Sequence, residues 1–294
     1  MNPDTTELGF DQATLRLAVP SKGRLSETTV ELLRRAGLVF RRRERCLYAS
    51  CRDTRAGIVF AHAADVPVLV AEGVVDLGVT GSDLVRDRGF DLVTHLALGY
   101  GRCRLTVAVR QDSAYQRPAD LAGRAIGTKY PNLARDFFRG HGVEVHLIEL
   151  AGALEVMVSL GLVDAIVEVT ESGDTLAENR LRPIASVLDS EAVLVGRART
   201  ADDELRDRIV RRIEGVVQAV QYSMLEYNCP VSRLDEAKRI TPGFHSPTLQ
   251  PLADPAWVAV KVMVKKVDVA GVMDSLEALG ATAILETEVK NCRL

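Results

Sequence analysis

Apolar and polar residues near the start of the chain follow the pattern of a strand, a loop and a helix. Residues 15–19 alternate with the two-residue period of a β-strand, and Pro20 ends the segment. A short loop, 21–25, leads into a helix for which Ser26 is the predicted cap and which ends before Gly37. The opening of the chain therefore predicts one strand-to-helix unit.

The same order of elements repeats over the next 130 residues or so, as the segment bounds show. Predicted strands occupy 57–60, 74–80, 105–109, 143–148 and 164–169, and predicted helices occupy 65–72, 131–139 and the segment around Glu155. Alternating strands and helices predict parallel sheets with crossover helices. Two lobes of this kind would enclose a cleft, with ligands at the carboxyl ends of the strands.

The last third of the chain has a different pattern. Residues 202–227 mix polar and apolar positions and predict one long helix, and a loop rich in proline follows at 241–255. Beyond it, 257–264, 269–279 and 281–289 predict a strand, a helix and a strand. This small βαβ unit is too short to be a catalytic lobe, so it is predicted to serve regulation or assembly.

Composition narrows the class of protein. The chain has 294 residues, 47% of them hydrophobic, and a formal net charge of -3, which gives no general attraction to nucleic acid or to an anionic membrane. Acidic and polar residues before position 14 differ from a signal peptide, and the five cysteines form no CxxC pair. We therefore expect a cytoplasmic protein without a structural metal.

Two loops carry candidate chemistry. After the strand that contains Glu168, residues 171–175 form a hydroxyl-rich turn around Gly173, which can aim backbone N–H groups and hydroxyls at a phosphate. An ordinary strand-to-helix turn has the same pattern. In the first loop, Lys22 and Arg24 flank a glycine and are placed to bind a polyphosphate, although solvated surface charge is the alternative.

Motifs over nearly the whole chain resemble those of the ATP phosphoribosyltransferase family. They occur, in order, at 20–25, 73–83, 103–105, 129–133, Glu155, 161–166 and 172–176, followed by 240–248 and 251–258 in the tail. The tail motifs resemble the long form of the family, which carries a third domain. The chain is thus identified as a member of that form.

The resemblance implies the fold and the domain boundaries. The fold class is α/β, with a two-lobed catalytic core similar to type II periplasmic binding proteins and a C-terminal ferredoxin-like α+β domain that senses histidine. Lobe I is expected at 1–102 and 190–221, lobe II at 103–189 and the regulatory domain at 222–294.

The resemblance also implies a reaction. Family members join ATP to phosphoribosyl pyrophosphate, giving phosphoribosyl-ATP and pyrophosphate in the first step of histidine biosynthesis, with histidine as feedback inhibitor. Magnesium is expected as the partner of the pyrophosphate, held by substrate oxygens and water rather than by a protein cage. A homo-oligomer, from dimer to hexamer, is expected, with no nucleic acid or membrane partner.

Site residues follow from the same resemblance, position by position. Glu155, Arg24 and Lys22 are the expected catalytic residues. Phosphoribosyl pyrophosphate is expected to contact Asp164, Glu168, Glu171, Ser172, Gly173, Asp174 and Thr175. ATP is expected to contact Lys22, Arg24, Asp83, Arg104 and Tyr130, and inhibitory histidine Asn228, Phe244, Ser246 and Ala283. A surface for subunit packing is the alternative use of the last four positions.

Three departures from the family pattern bear on these expectations. His62 replaces a common arginine, Val158 replaces a common proline, and Glu171 and Asp174 add negative charge to the phosphate loop. Both acidic side chains are expected to point away from the phosphate. The departures also motivate the alternative of a ligand-binding paralogue or amino-acid sensor that has lost turnover.

Overall fold

The chain forms two compact units of unequal size. The computed structural model describes residues 15–42, 46–52, 54–150, 152–171, 173–198 and 204–294. Unit 1 covers the chain up to residue 31 and from 38 to 207, and unit 2 covers 32–37 and 208–294. Of the helices in the described ranges, none is long and apolar enough to span a bilayer.

Unit 1 contains eleven described strands. They are β1 (Leu15–Pro20), β2 (Tyr48–Ser50), β3 (Ala56–Ala61), β4 (Leu77–Gly81), β5 (Val93–Ala97), β6 (Cys103–Arg110), β7 (Ala125–Thr128), β8 (His146–Glu149), β9 (Ala165–Thr170), β10 (Leu181–Ser190) and β11 (Ala192–Gly196). The helices as far as residue 219 are α1 (Ser26–Arg35), α2 (Val66–Ala71), α3 (Ser82–Arg88), α4 (Pro131–Gly140), α5 (Leu154–Ser159), α6 (Asp174–Glu178) and α7 (Glu204–Ala219).

These strands form two sheets, one for each lobe. The first has the order β2-β3-β1-β4-β11-β5 and the second the order β10-β6-β9-β7-β8. The predicted parallel pairing holds for β1 with β3 and β4 and for β7 with β8 and β9. The other strands, which are β2, β5 and β11 in the first sheet and β6 and β10 in the second, pair antiparallel to their neighbours. Both sheets are therefore mixed, and mixed sheets are common among large sheets.

Each lobe buries its own core between sheet and helices. In the second lobe Leu105, Val107, Ile126, Phe138 and Val167 are at most 1% exposed and belong to one cluster. The chain passes from the first sheet to the second between β5 and β6 and returns between β10 and β11. The predicted two-lobed α/β core is thereby confirmed.

The predicted long helix at 202–227 is wrong in its last third. Helix α7 ends at Ala219, and a strand, β12 (Tyr222–Pro230), follows. Along β12, Ser223, Leu225 and Tyr227 are buried while the residues between them are only partly buried, which is the two-residue period of a strand.

Unit 2 contains the whole βαββαβ order rather than the single βαβ that was predicted. After β12 come α8 (Leu234–Ile240), β13 (Thr248–Pro251), β14 (Trp257–Lys265), α9 (Val269–Ala278) and β15 (Thr282–Glu288). The sheet order is β13-β14-β12-β15, with every neighbouring pair antiparallel. This arrangement confirms the predicted ferredoxin-like fold.

Candidate active site

The candidate residues follow the carboxyl ends of parallel strands in both lobes. In the first sheet β1 runs parallel to β3 and β4, and in the second β7 runs parallel to β8 and β9. The ends of these strands therefore meet at one edge of each sheet. The residues that follow them are Lys22, Arg24, His62 and Asp83 in the first lobe, and Tyr130, Glu155 and the loop 171–175 in the second.

Two contacts bring these edges together. Nε of Arg24 lies 3.6 Å from Oε1 of Glu171, and the Tyr130 hydroxyl donates a hydrogen bond to the Asp83 carboxylate. Arg24 also donates through Nη1 to the Gly101 carbonyl and through Nη2 to Cys103 Sγ at 3.0 Å. Loops that are far apart in sequence thus enclose one crevice.

Asp83 is held rigidly at the base of this crevice. It is 1% exposed, its Oδ1 accepts a hydrogen bond from Ser190 Oγ at 2.6 Å, and its own N–H donates to the same Ser190 oxygen at 3.0 Å. Burial and the nearby carboxylates of Asp83 and Glu168 raise the pKa of Tyr130 above its usual range. Tyr130 therefore stays protonated near neutral pH and acts as a hydrogen-bond donor.

The loop after β9 borders a small cavity. Gly173 has φ of +90° and is the residue before α6. A cavity of about 320 Å³ is lined by Glu155, Glu171, Gly173 and Thr175, together with Val169, Thr170 and Leu176. Four candidate residues from two separate segments therefore share one space, while Ser172 lies outside the described residues.

A larger cavity lies on the other side of the same loop. It has about 850 Å³ and includes Arg104, Cys103, Ser190, Glu171 and Gly173 in its lining. Nε of Arg104 donates to Asp189 Oδ1 at 2.6 Å. Both volumes lie in the range of about 300–1,000 Å³ that is typical of small-molecule sites.

Glu168 has a partner that the sequence-based assignment missed. Lys129 Nζ lies 2.9 Å from Glu168 Oε2, and Val169 N–H donates to Glu168 Oε1 at 3.0 Å. Lys129 directly follows β7, the parallel neighbour of β9. Its position immediately after a parallel strand was the available sequence signal.

A second missed residue is Arg42, which supports the first loop. Its guanidinium donates to the Ser21 carbonyl and, at 3.3 Å, to Ser26 Oγ, and it lies 4.7 Å from the centre of the Phe60 ring. Because these partners are distant in sequence, no local pattern indicates this role.

Two candidates are placed differently from the rest. Asp164 precedes β9, so it lies at the opposite end of that strand from the loop, about 20 Å along the chain. Its carboxylate accepts hydrogen bonds from the Ala125 N–H at 3.0 Å and the Tyr115 hydroxyl at 3.2 Å. The structure does not bring Asp164 to the crevice, and it places Lys22 as an exposed residue in the loop after β1.

The three departures have distinct environments. His62 is exposed immediately after β3, and Val158 is 1% exposed within the core beneath α5. Asp174 is exposed at the start of α6. The expectation that both acidic side chains of the loop point away is wrong for Glu171, because its carboxylate faces Arg24.

The four C-terminal candidates form two separate pairs within one chain. Asn228 pairs with Thr282 across β12 and β15, next to Ala283, which has φ of +50°. Phe244 is 53% exposed, and its ring lies 5.3 Å from that of Tyr222, at the other end of β12. Ser246 is close to Phe244 in sequence.

The described ranges contain no candidate site for a metal ion. Within these ranges, no three His, Cys, Asp or Glu side chains are grouped so that they could hold a metal ion.

Burial raises the pKa of the Cys103 thiol, although Arg24 opposes the shift. Cys103 is therefore a neutral thiol near pH 7.

Comparison with known proteins identifies the family. The model of the HisG family, ATP phosphoribosyltransferase, matches residues 62–215, and that of the HisG C-terminal domain matches 219–291. The ATP phosphoribosyltransferase of Rhodopirellula baltica is 45% identical over 95% of this chain and 94% of its own, and that of Mycobacterium tuberculosis strain H37Ra is 44% identical over 95% and 99%. A solved structure, the ATP phosphoribosyl transferase (HisG:HisZ) complex from Thermotoga maritima, matches with a TM-score of 0.61 and 26% identity over 69% of this chain and 98% of that one. The chain belongs to the ATP phosphoribosyltransferase family of pentosyltransferases, and its C-terminal domain is that of the long form.

Proposed function

We propose that this chain condenses ATP with phosphoribosyl pyrophosphate to form phosphoribosyl-ATP and pyrophosphate. The observation that carries the proposal is the crevice in which loops from both lobes meet through Arg24 with Glu171 and Tyr130 with Asp83. Adenine N1 forms a bond to C1 of the ribose while the bond from C1 to the pyrophosphate oxygen breaks. Two substrates must be aligned for this exchange, and a crevice between lobes provides that alignment.

The ribose phosphate is assigned to the loop 171–175. The backbone N–H groups near Gly173 and the Thr175 hydroxyl are suited to a phosphate dianion. Glu168, fixed by Lys129, is suited to the ribose hydroxyls as a hydrogen-bond acceptor. Glu155 shares the cavity of this loop and is assigned the orientation of the adenine or the ribose. Asp164 is assigned a structural role on the evidence of its two hydrogen bonds.

The leaving pyrophosphate and the ATP phosphates are assigned to the cations of the crevice. Lys22, Arg24 and Arg104 supply positive charge where negative charge develops on the leaving group. Asp83 and Tyr130 are assigned to the nucleotide. Magnesium is proposed to bind with the pyrophosphate group through substrate oxygens and water, where it would neutralise part of the same charge. No covalent intermediate is required.

The domain roles follow from these assignments. Lobe I is proposed to span 1–102 and 190–221, lobe II 103–189 and a regulatory domain 222–294. Because both substrates are intracellular metabolites, the enzyme is assigned to the cytoplasm.

Histidine is proposed to bind the C-terminal domain as feedback inhibitor. The candidate contacts are Asn228 and Ala283 at one end of β12, and Phe244 and Ser246 towards the other. Domains of this kind also assemble oligomers, and we propose that the chain forms a homo-oligomer.

Turnover is the direct test. The full chain is mixed with ATP, phosphoribosyl pyrophosphate and magnesium, and phosphoribosyl-ATP formation is followed with and without histidine. We expect product, and we expect Glu155→Gln to lower kcat by at least tenfold, while the exposed Glu144→Gln on lobe II has no effect. Absence of product at high enzyme concentration would leave a ligand-binding paralogue as the remaining explanation.

A further inference from the structure

Each nitrogen of the Arg24 guanidinium faces a group of the protein itself. Nη1 and Nη2 donate to Gly101 and Cys103, and Nε faces the Glu171 carboxylate at 3.6 Å. The side chains of Arg24 and Glu171 are 28% and 60% exposed, so the pair is open to solvent. A phosphate that enters the crevice thus meets a cation that already has an anionic partner.

We propose that Glu171 acts as a charge gate on Arg24, one that admits polyanions such as pyrophosphate and resists anions of low charge. The inference rests on the proposed function, in which Arg24 binds the polyphosphate. An exposed ion pair contributes only about 0–1 kcal/mol, so a group with several charges and a bidentate geometry can displace the carboxylate. A singly charged anion has no such advantage over Glu171.

Glu171 is the partner that yields, because the other two are fixed. The Gly101 carbonyl and Cys103 belong to the segment that crosses between the lobes, where the Tyr100 carbonyl also accepts the Ala192 N–H at 2.9 Å. Glu171 belongs instead to the loop assigned to the ribose phosphate. The Glu171 carboxylate is therefore released from Arg24 in the same loop that is proposed to bind phosphoribosyl pyrophosphate.

The test is calorimetric titration of the full chain with inorganic pyrophosphate, without other substrates. Glu171→Gln is expected to lower the dissociation constant by about three- to fivefold, because the competing charge is removed. The matched control is Glu178→Gln, which removes one exposed carboxylate from the adjacent helix α6. This control should change the constant by less than about twofold.

A double-mutant cycle with Arg24→Gln identifies the route of the effect. If Glu171 acts through Arg24, Glu171→Gln should change the dissociation constant of pyrophosphate by less than about twofold when Arg24→Gln is also present. Equal effects of Glu171→Gln and Glu178→Gln, an effect that persists without Arg24, or no tighter binding by Glu171→Gln would each overturn the gate.

The same measurements separate the gate from the proposed function. Product formation by the wild type, together with unchanged pyrophosphate affinity in Glu171→Gln, would overturn the gate alone. Absence of product would overturn the proposed function, while the cycle would still report on Arg24 and Glu171. If neither protein binds pyrophosphate, the gate is wrong, and turnover alone decides the proposed function.

Discussion

Gly173 has a backbone conformation that other residues adopt only at a cost. Its φ of +90° lies in the left-handed region, and a side chain added there would meet open space, so the cost would be one of backbone strain alone. We expect Gly173→Ala to disfavour the loop conformation by about 1–2 kcal/mol, which corresponds to a roughly five- to thirtyfold rise in KM for phosphoribosyl pyrophosphate.

The control for this prediction is Gly123→Ala, measured by the same initial-rate kinetics. Gly123 has φ of +70° and similarly open surroundings, but it lies in the turn before β7, away from the crevice. The control should lose a comparable amount of stability without a change in KM. Equal KM values for Gly173→Ala and the wild type would contradict the role of the loop.

Ala283 also has a left-handed backbone conformation, and because it is not a glycine this conformation is strained. Its φ is +50° at the start of β15. Ala283→Gly removes a strain of about 1–2 kcal/mol and adds a chain-entropy cost of about 0.5–1 kcal/mol, so the free energy of unfolding should rise by about 0.5–1 kcal/mol. Trp257, the only tryptophan of the sequence, lies in β14 of the same unit, so its fluorescence during urea unfolding provides the measurement.

Ala278→Gly is the matched control for that prediction. Ala278 is exposed near the end of α9, where glycine should cost about 1 kcal/mol. Destabilisation by both substitutions would show that Ala283 is not strained.

At the scale of elements, α3 of the first lobe caps α4 of the second. Asp87 is 6% exposed, and its Oδ1 accepts the N–H groups of Asn132 and Leu133, both at 3.0 Å. Burial raises the pKa of Asp87, and the two hydrogen bonds oppose the shift only in part. Ionisation of Asp87 therefore lowers the stability of the folded state.

The pH dependence of Asp87→Asn tests that balance. Because the folded-state pKa is raised, the folded state retains the proton better than the unfolded state, and this stabilisation is lost as pH rises through the folded-state pKa. Asparagine keeps the acceptor oxygen without the charge. Relative to the wild type, the variant should gain unfolding free energy between pH 4 and pH 7, measured by urea unfolding. The exposed Asp91→Asn should show no such trend, and a fall for Asp87→Asn would mean that the hydrogen bonds outweigh burial.

Local patterns predicted the elements of this fold unequally. The strand and loop around Glu168 were predicted well, because a buried run followed by a hydroxyl-rich turn is a local signal. Strand β12 was mistaken for helix, because the polar Ser223 occupies a buried position and obscures the alternation. This strand pairs with β14 and β15, and the paired residues lie 27 to 65 positions later, so its state depends on tertiary partners.

Site residues could be predicted from the sequence only where they belong to a short continuous motif. Lys22, Arg24 and the loop 171–175 stand out in the sequence, whereas the pairing of Arg24 with Glu171 depends on how two lobes meet. The same holds for Asp164, whose distance from the loop becomes visible only when the direction of β9 is known. Sequence spacing alone does not report which end of a strand faces a ligand.

At the scale of the whole molecule, the proposed substrates and inhibitor should protect different units from hydrogen exchange. Phosphoribosyl pyrophosphate with magnesium should slow exchange in 165–178, because the loop after β9 closes around the phosphate. Histidine should instead slow exchange at 222–230 and 281–288, the strands that carry Asn228 and Ala283. At a ligand concentration of 100 times Kd, the slowing can reach about a hundredfold for amides that exchange only after the ligand leaves. Protection of 165–178 by histidine, without any in unit 2, would make histidine a ligand of the catalytic crevice and contradict a separate regulatory site.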